Sequence, residues 1–168
     1  MASSYEYFKE DIAKYLKERF SPKSSILDVG AGQGIYNDLL GDYFLKIDAV
    51  EVFLPNIEEY RLKEKYRQVF NVDIRDFKYG YYDIIIFGDI LEHLEVEEAQ
   101  KVLDYAYTRC REIVVAVPYQ YVQGIEYGNI YEIHKQDDLT PNIMQERYPN
   151  LELLYGNDRY GYYIKKRS

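Results

Sequence analysis

The stretch that most constrains this chain is Leu27-Asp28-Val29-Gly30-Ala31-Gly32-Gln33-Gly34. A short apolar run, Ile26 to Val29, ends in three glycines at alternate positions, and Ile35, Leu39 and Leu40 then follow at helical spacing. That pattern reads as a strand, a tight turn and a helix start. Glycine is needed where the backbone takes positive φ or where a ligand must approach without a Cβ in the way. At the carboxyl end of a parallel strand, such a turn is where doubly wound sheets bind nucleotide-like ligands.

The rest of the chain supports one α/β domain. Its 168 residues suit a single core, and the segments alternate between apolar runs and helical spacing. Phe8, Ile12, Tyr15, Leu16 and Phe20 share one helical face ended by Pro22, with Ser3 and Glu6 spaced as a capping box. Strands are expected over Phe44 to Val50, Gln68 to Val72, Tyr82 to Phe87 and Ile113 to Val117, with a charged helix from Pro55 to Tyr66 and another running through Cys110. Only eight residues separate Ile74 from the unbroken apolar run after Tyr82, which leaves room for a turn and not for a crossover helix. Residues 119–134 are irregular and read as a covering loop. Asp138 to Tyr148 reads as a last helix, and Leu151 to Tyr155 with Tyr162 to Lys165 as a closing antiparallel pair.

The motif Asp28-Val29-Gly30-Ala31-Gly32-Gln33-Gly34 resembles the first motif of the class I S-adenosylmethionine-dependent methyltransferases. A dinucleotide-binding turn would need glycine or alanine where this chain has Ile35. The resemblance covers about residues 20–165 and implies a three-layer, doubly wound Rossmann-like fold. Its seven-stranded sheet is expected in the order 3-2-1-4-5-7-6 with strand 7 antiparallel, within a single domain over 1–168 whose N-terminal helix occupies 1–22.

The resemblance also implies S-adenosyl-L-methionine as cofactor. Asp28, Gly30, Ala31, Gly32 and Gly34 are then expected around it. Glu51, which ends the second strand 17 residues after Gly34, stands close to the roughly 20-residue spacing of an acidic residue that accepts from ribose hydroxyls. Val52 follows where the family packs on adenine, and Asp73 with Ile74 where it meets the adenine edge, Asp76 being the nearby alternative to Asp73. Gly88-Asp89-Ile90-Leu91-Glu92-His93-Leu94 resembles the segment after the fourth strand of small-molecule methyltransferases, which puts Asp89 and Ile90 beside the cofactor. Asn129-x-Tyr131-Glu132-x-His134 resembles a second segment facing the acceptor.

His93 and His134 are the only two histidines and the candidate catalytic residues, since imidazole titrates near neutral pH. Asp89-x-x-Glu92-His93 is similar to an acidic-x-x-Glu-His pattern that holds a divalent metal in certain O-methyltransferases. Here aspartate replaces the usual glutamate, and no metal is expected.

The implied function is methyl transfer to an O or N acceptor on a small molecule; the alternative is a cofactor-binding, non-catalytic methyltransferase-like regulatory or scaffolding subunit. A net charge of −8 with scattered Lys and Arg disfavours nucleic acid. No apolar stretch approaches the roughly 20 residues that span a bilayer, and the polar N-terminus is unlike a signal peptide. A cytoplasmic monomer or homodimer is therefore expected. Cys110 is read as a small core residue, and most of the 21 tyrosines as half-exposed packing.

Overall fold

The apolar run before the glycine turn forms the middle strand of the sheet in a computed structural model that describes residues 5–166. The strands are β1 (Ser25–Val29), β2 (Lys46–Val50), β3 (Val69–Phe70), β4 (Tyr82–Gly88), β5 (Cys110–Pro118), β6 (Leu151–Gly156) and β7 (Tyr160–Lys165). They pair in the order β3-β2-β1-β4-β5-β7-β6, as expected. β7 is antiparallel to both its neighbours, and the remaining pairs are parallel. Parallel strands start from the same edge, so the loops after β1, β2 and β4 all emerge together at the opposite edge.

Two helical layers cover the sheet. Ile12 and Leu16 of α1 (Lys9–Arg19), Tyr36 and Leu40 of α2 (Ile35–Leu40), Ile57 of α3 (Leu54–Glu59) and Leu62 of α4 (Leu62–Lys65) pack against Ile26, Ile84 and Ile86. Ala99, Val102, Leu103 and Ala106 of α5 (Val96–Tyr107) and Met144 of α6 (Pro141–Arg147) pack against Leu27, Val29, Ile85 and Phe87. Strand side chains alternate between faces, which is why β4, buried on both, reads as continuous Ile-Ile-Ile-Phe. Glu95 and Glu98 close a capping box that starts α5. Among the described residues no helix is long and apolar enough to cross a membrane.

Several expected boundaries move. The charged helix divides into α3 and α4, because Arg61 takes a left-handed φ of 52° that no helix can continue through. α5 stops at Tyr107, and Cys110 opens β5 opposite Tyr82; in this way β5 covers the full length of β4. The third strand contracts to two residues, and α6 starts three residues late at Pro141, after the Thr140 cap. α1 begins at Lys9 behind Phe8, which has a φ of 60°, and the Ser3 half of the expected capping box lies outside the described residues. Many tyrosines are also deeper than expected, Tyr36, Tyr66, Tyr160 and Tyr162 among them.

Asp28 is displaced from its expected role by the strand's alternation. It shares a face with Ile26, so its carboxylate points beneath the sheet, where Tyr66 donates to Oδ2 at 2.5 Å and Oδ1 has no partner among the described residues. Burial raises its pKa to about 7, against the opposing hydrogen bond from Tyr66 and with help from the charge of Glu51. A carboxyl whose folded pKa lies above its unfolded value binds more protons folded than unfolded between the two. Its contribution is therefore most favourable at low pH and is lost as pH rises toward and through about 7. Asp28→Asn, which cannot ionise, should gain melting temperature relative to wild type by about 5 °C or more on going from about pH 5 to about pH 8. Paired thermal melts at the two pH values measure that difference, and equal gaps would contradict the assignment.

Candidate active site

The glycine turn after β1 is shaped by hydrogen bonds to its neighbour strand. Gly30 and Ala31 both donate to the Val50 carbonyl, at 2.8 and 3.1 Å. Gly30, Gly32 and Gly34 take φ of 73°, 53° and 81°. A Cβ on Gly30 would lie 2.0 Å from the Ile90 side chain, so the turn after β1 and the segment after β4 touch where only glycine fits.

Glu51 ties this turn to the next loop. Gly32 N–H donates to its Oε2 at 2.8 Å and Phe53 N–H to its Oε1 at 2.9 Å. Burial raises the pKa of Glu51, and these two backbone donors oppose the rise.

A cavity of about 370 Å³ runs along the strand ends. Gly30, Ala31, Gly32, Glu51, Val52, Asp73, Ile74, Asp89, Ile90, His93 and His134 all line it. Two expected residues do not. Asp28 faces the opposite layer, and Gly34 starts α2, where a Cβ would meet Lys65 and Leu62 of α4. Asp73 is held by Arg75 through Nε to Oδ1 at 3.0 Å and Nη2 to Oδ2 at 2.6 Å, and Arg75 also reaches Glu98 at 2.8 Å. Those bonds keep the Asp73 pKa below its ordinary value. Asp89, with a φ of 57°, accepts from Tyr160 Oη at 2.8 Å.

The far end of the cavity combines the segment after β4 with the 119–134 loop. Burial and the facing His134 push the His93 pKa down to about 4, and burial also lowers that of His134. Both imidazoles are neutral near neutral pH. Beside them Glu92 is 1% exposed, and neither of its carboxylate oxygens has a hydrogen-bond partner among the described residues. Its pKa stands well above the ordinary value, from burial first and the charge of Asp89 second. Glu92, His93 and His134 form the cluster of lone-pair donors here that could grip a small cation.

Sequence reasoning passed over Tyr36, Gln33 and Arg75, which also line the cavity. Tyr36 had a signal in its place one residue into the helix after the turn. Arg75 had one in its spacing from Asp73.

A family profile described as a methyltransferase domain matches residues 1–122. The chain belongs to the methyltransferase-domain family. A comparison with curated proteins gives no match. Among solved structures, this methyltransferase-domain protein resembles the DhpI complex with S-adenosylmethionine and HEP, at 12% identity over 97% of this chain and 89% of that one, TM-score 0.73. It also resembles an S-adenosylmethionine-dependent methyltransferase from Clostridium acetobutylicum, at 11% identity over 98% and 92% with TM-score 0.72. The methyltransferase domain of bacterial CtHen1-CN aligns at 19% identity over 94% and 96%, TM-score 0.68. A second DhpI structure contains S-adenosylhomocysteine.

The unpartnered Glu92 carboxyl is a cost to the fold of this methyltransferase-domain protein, since a buried polar group without a hydrogen bond loses its hydration. Glu92→Met, similar in volume and apolar, should raise the melting temperature of the ligand-free protein by about 2–8 °C, corresponding to about 1–2 kcal/mol. Differential scanning calorimetry tests this; a fall in melting temperature would mean that Glu92 has a partner in solution.

Proposed function

We propose that the chain binds S-adenosylmethionine along its strand ends and transfers the methyl group to an oxygen or nitrogen of a small-molecule acceptor, in the cytoplasm. The observation that carries this reading is Glu51, a buried carboxylate that lines the cavity at the end of β2 while backbone N–H groups of both adjoining loops fix its plane. Paired ribose hydroxyls are the ligand groups that such a carboxylate suits.

The sulfonium supplies an activated methyl group, so the chain's own residues have to align the acceptor and exclude water. The backbone of Gly30 to Gln33 would hold the amino-acid end, Glu51 the ribose, and Val52 and Ile74 the faces of the adenine. Asp73, its carboxylate oriented by Arg75, would accept from the adenine amino group. His93 and His134 face the acceptor end as neutral imidazoles, with Asp89 between them and the cofactor end. Net charge and the five carboxylates on the cavity wall, Glu51, Asp73, Asp89, Glu92 and Glu132, support a neutral or cationic acceptor over a phosphate chain.

Calorimetric titration with S-adenosylmethionine should show binding that Glu51→Ala weakens at least ~100-fold, as expected for loss of two charge-assisted hydrogen bonds. NADH should give no heat. Binding of NADH without S-adenosylmethionine, or an unaffected Glu51→Ala variant, would overturn the reading.

A further inference from the structure

Glu92 lies in the single 3-10 turn Leu91–His93 after β4, and its main chain is tightly held. Its carbonyl accepts from Lys135 N–H at 2.8 Å and Gln136 N–H at 3.0 Å, which joins the end of the covering loop to this turn. Its side chain is 1% exposed and lines the cavity with both oxygens unpartnered among the described residues.

The two imidazoles beside it present lone pairs. His93 Nδ1 lies 3.3 Å from the Ile133 carbonyl and His134 Nδ1 lies 2.7 Å from the Tyr121 carbonyl. A carbonyl only accepts, so each Nδ1 carries the proton and each Nε2 is left as an acceptor. One atom from each of Glu92, His93 and His134, a carboxylate oxygen and a ring nitrogen of each histidine, lies within 4.8 Å of the others. The cavity cations are engaged elsewhere, Arg75 with Asp73 and Glu98, Lys135 with Glu95.

We propose that Glu92, His93 and His134 form a tripod that receives a primary ammonium group, and that the methyl acceptor is a primary amine. The second half of this rests on the S-adenosylmethionine reading above; the first half does not. A primary ammonium has three N–H donors and one positive charge, matching three acceptors of which one is a carboxylate. Glu92 Oε1 and His93 Nε2 are 3.7 Å apart. A single nitrogen can sit about 2.8 Å from both atoms. Asp89, the next acid along, gives Oδ1 to Tyr160. The Tyr121 ring centre lies 5.3 Å from that of His134 and the Tyr5 ring centre 6.0 Å from that of Tyr121, which gives an alkylammonium aromatic surface beside the cluster.

An ammonium has no lone pair with which to attack. Glu92 takes one N–H proton, leaving a neutral amine held by the two imidazoles. The freed lone pair points at Glu92, so the amine turns within the cluster and gives up one imidazole hydrogen bond; the lone pair then forms the N–C bond to the methyl carbon while the C–S bond breaks and its electron pair stays on sulfur. The products are a secondary methylammonium, the neutral thioether and protonated Glu92, which returns its proton to solvent.

The test uses benzylammonium and benzyl alcohol as matched probes of the ligand-free chain, so it reads the tripod whether or not S-adenosylmethionine binds. Calorimetry near neutral pH should show benzylammonium bound at least ~10-fold more tightly than the alcohol, with the difference removed in Glu92→Gln. His134→Gln, at a half-exposed position, is the second variant and should weaken the ammonium by ~3-fold or more. Tritiated methyl transfer to primary amines and their alcohol counterparts should label the amines and fall at least ~100-fold in Glu92→Gln, while affinity for S-adenosylmethionine changes less than ~3-fold. Equal binding of the two probes, labelling confined to alcohols, or Mn²⁺ bound by wild type and lost in Glu92→Gln would each overturn the proposal.

Discussion

The functional edge of the sheet depends on the register between β1 and β2, and the Glu51 carboxylate converts that register into a site. Asp28 to Ala49 and Val29 to Val50 pair in parallel, so the two strands end together. The Val50 carbonyl then takes two N–H groups from the glycine turn, and Glu51, one residue on, takes a third. Because its other oxygen accepts from Phe53, one carboxylate fixes two loops against each other. A neutral isostere would hold both loops less strongly, since hydrogen bonds to an ionised acceptor are roughly twice as strong as neutral ones.

This dependence also explains what was legible in the sequence. The turn, the acid after β2 and the buried run of β4 are local signals: each follows from residue type and strand or turn conformation within a few residues. The boundaries that moved are set by distant partners. Cys110 continues a helical spacing in sequence, yet Tyr82 on β4 needs a partner, and the sheet takes the residue. Arg61 carries no helix-breaking signature, and its left-handed conformation divides α3 from α4 only because Ile57 and Leu62 must both reach the same core.

The site residues divide in the same way. Gly30, Gly32, Glu51 and Asp73 could be placed from spacing, because strand ends deliver them to one edge. Asp28 could not be assigned to a face without fixing the pleat, and one residue of phase decides between ligand and core. The state of Glu92 was invisible for a different reason. Whether a glutamate in a short turn is solvated or buried depends on the loop ending in Lys135 and Gln136, more than forty residues on, which closes over it.

The tyrosine content acquires a physical role once the network is traced. Lys9, the first residue of α1, is 3% exposed and, among the described residues, has no carboxylate within ion-pair distance; it donates to Tyr36 and Tyr162 at 3.3 and 3.0 Å instead. Its ammonium also lies 5.0–5.5 Å from the ring centres of Tyr36, Tyr160 and Tyr162. A cation at a helix N-terminus opposes the helix dipole, and a buried one loses hydration. Phenols offset both costs, giving an acceptor oxygen and a negative ring face without adding a formal charge. A carboxylate in their place would join Asp28, Asp89 and Glu92 in an already acidic interior and raise its neighbours' pKa values further. Tyrosine therefore lets the fold stabilise one buried cation behind the cavity while leaving the cavity's own carboxylates to meet a cationic ligand.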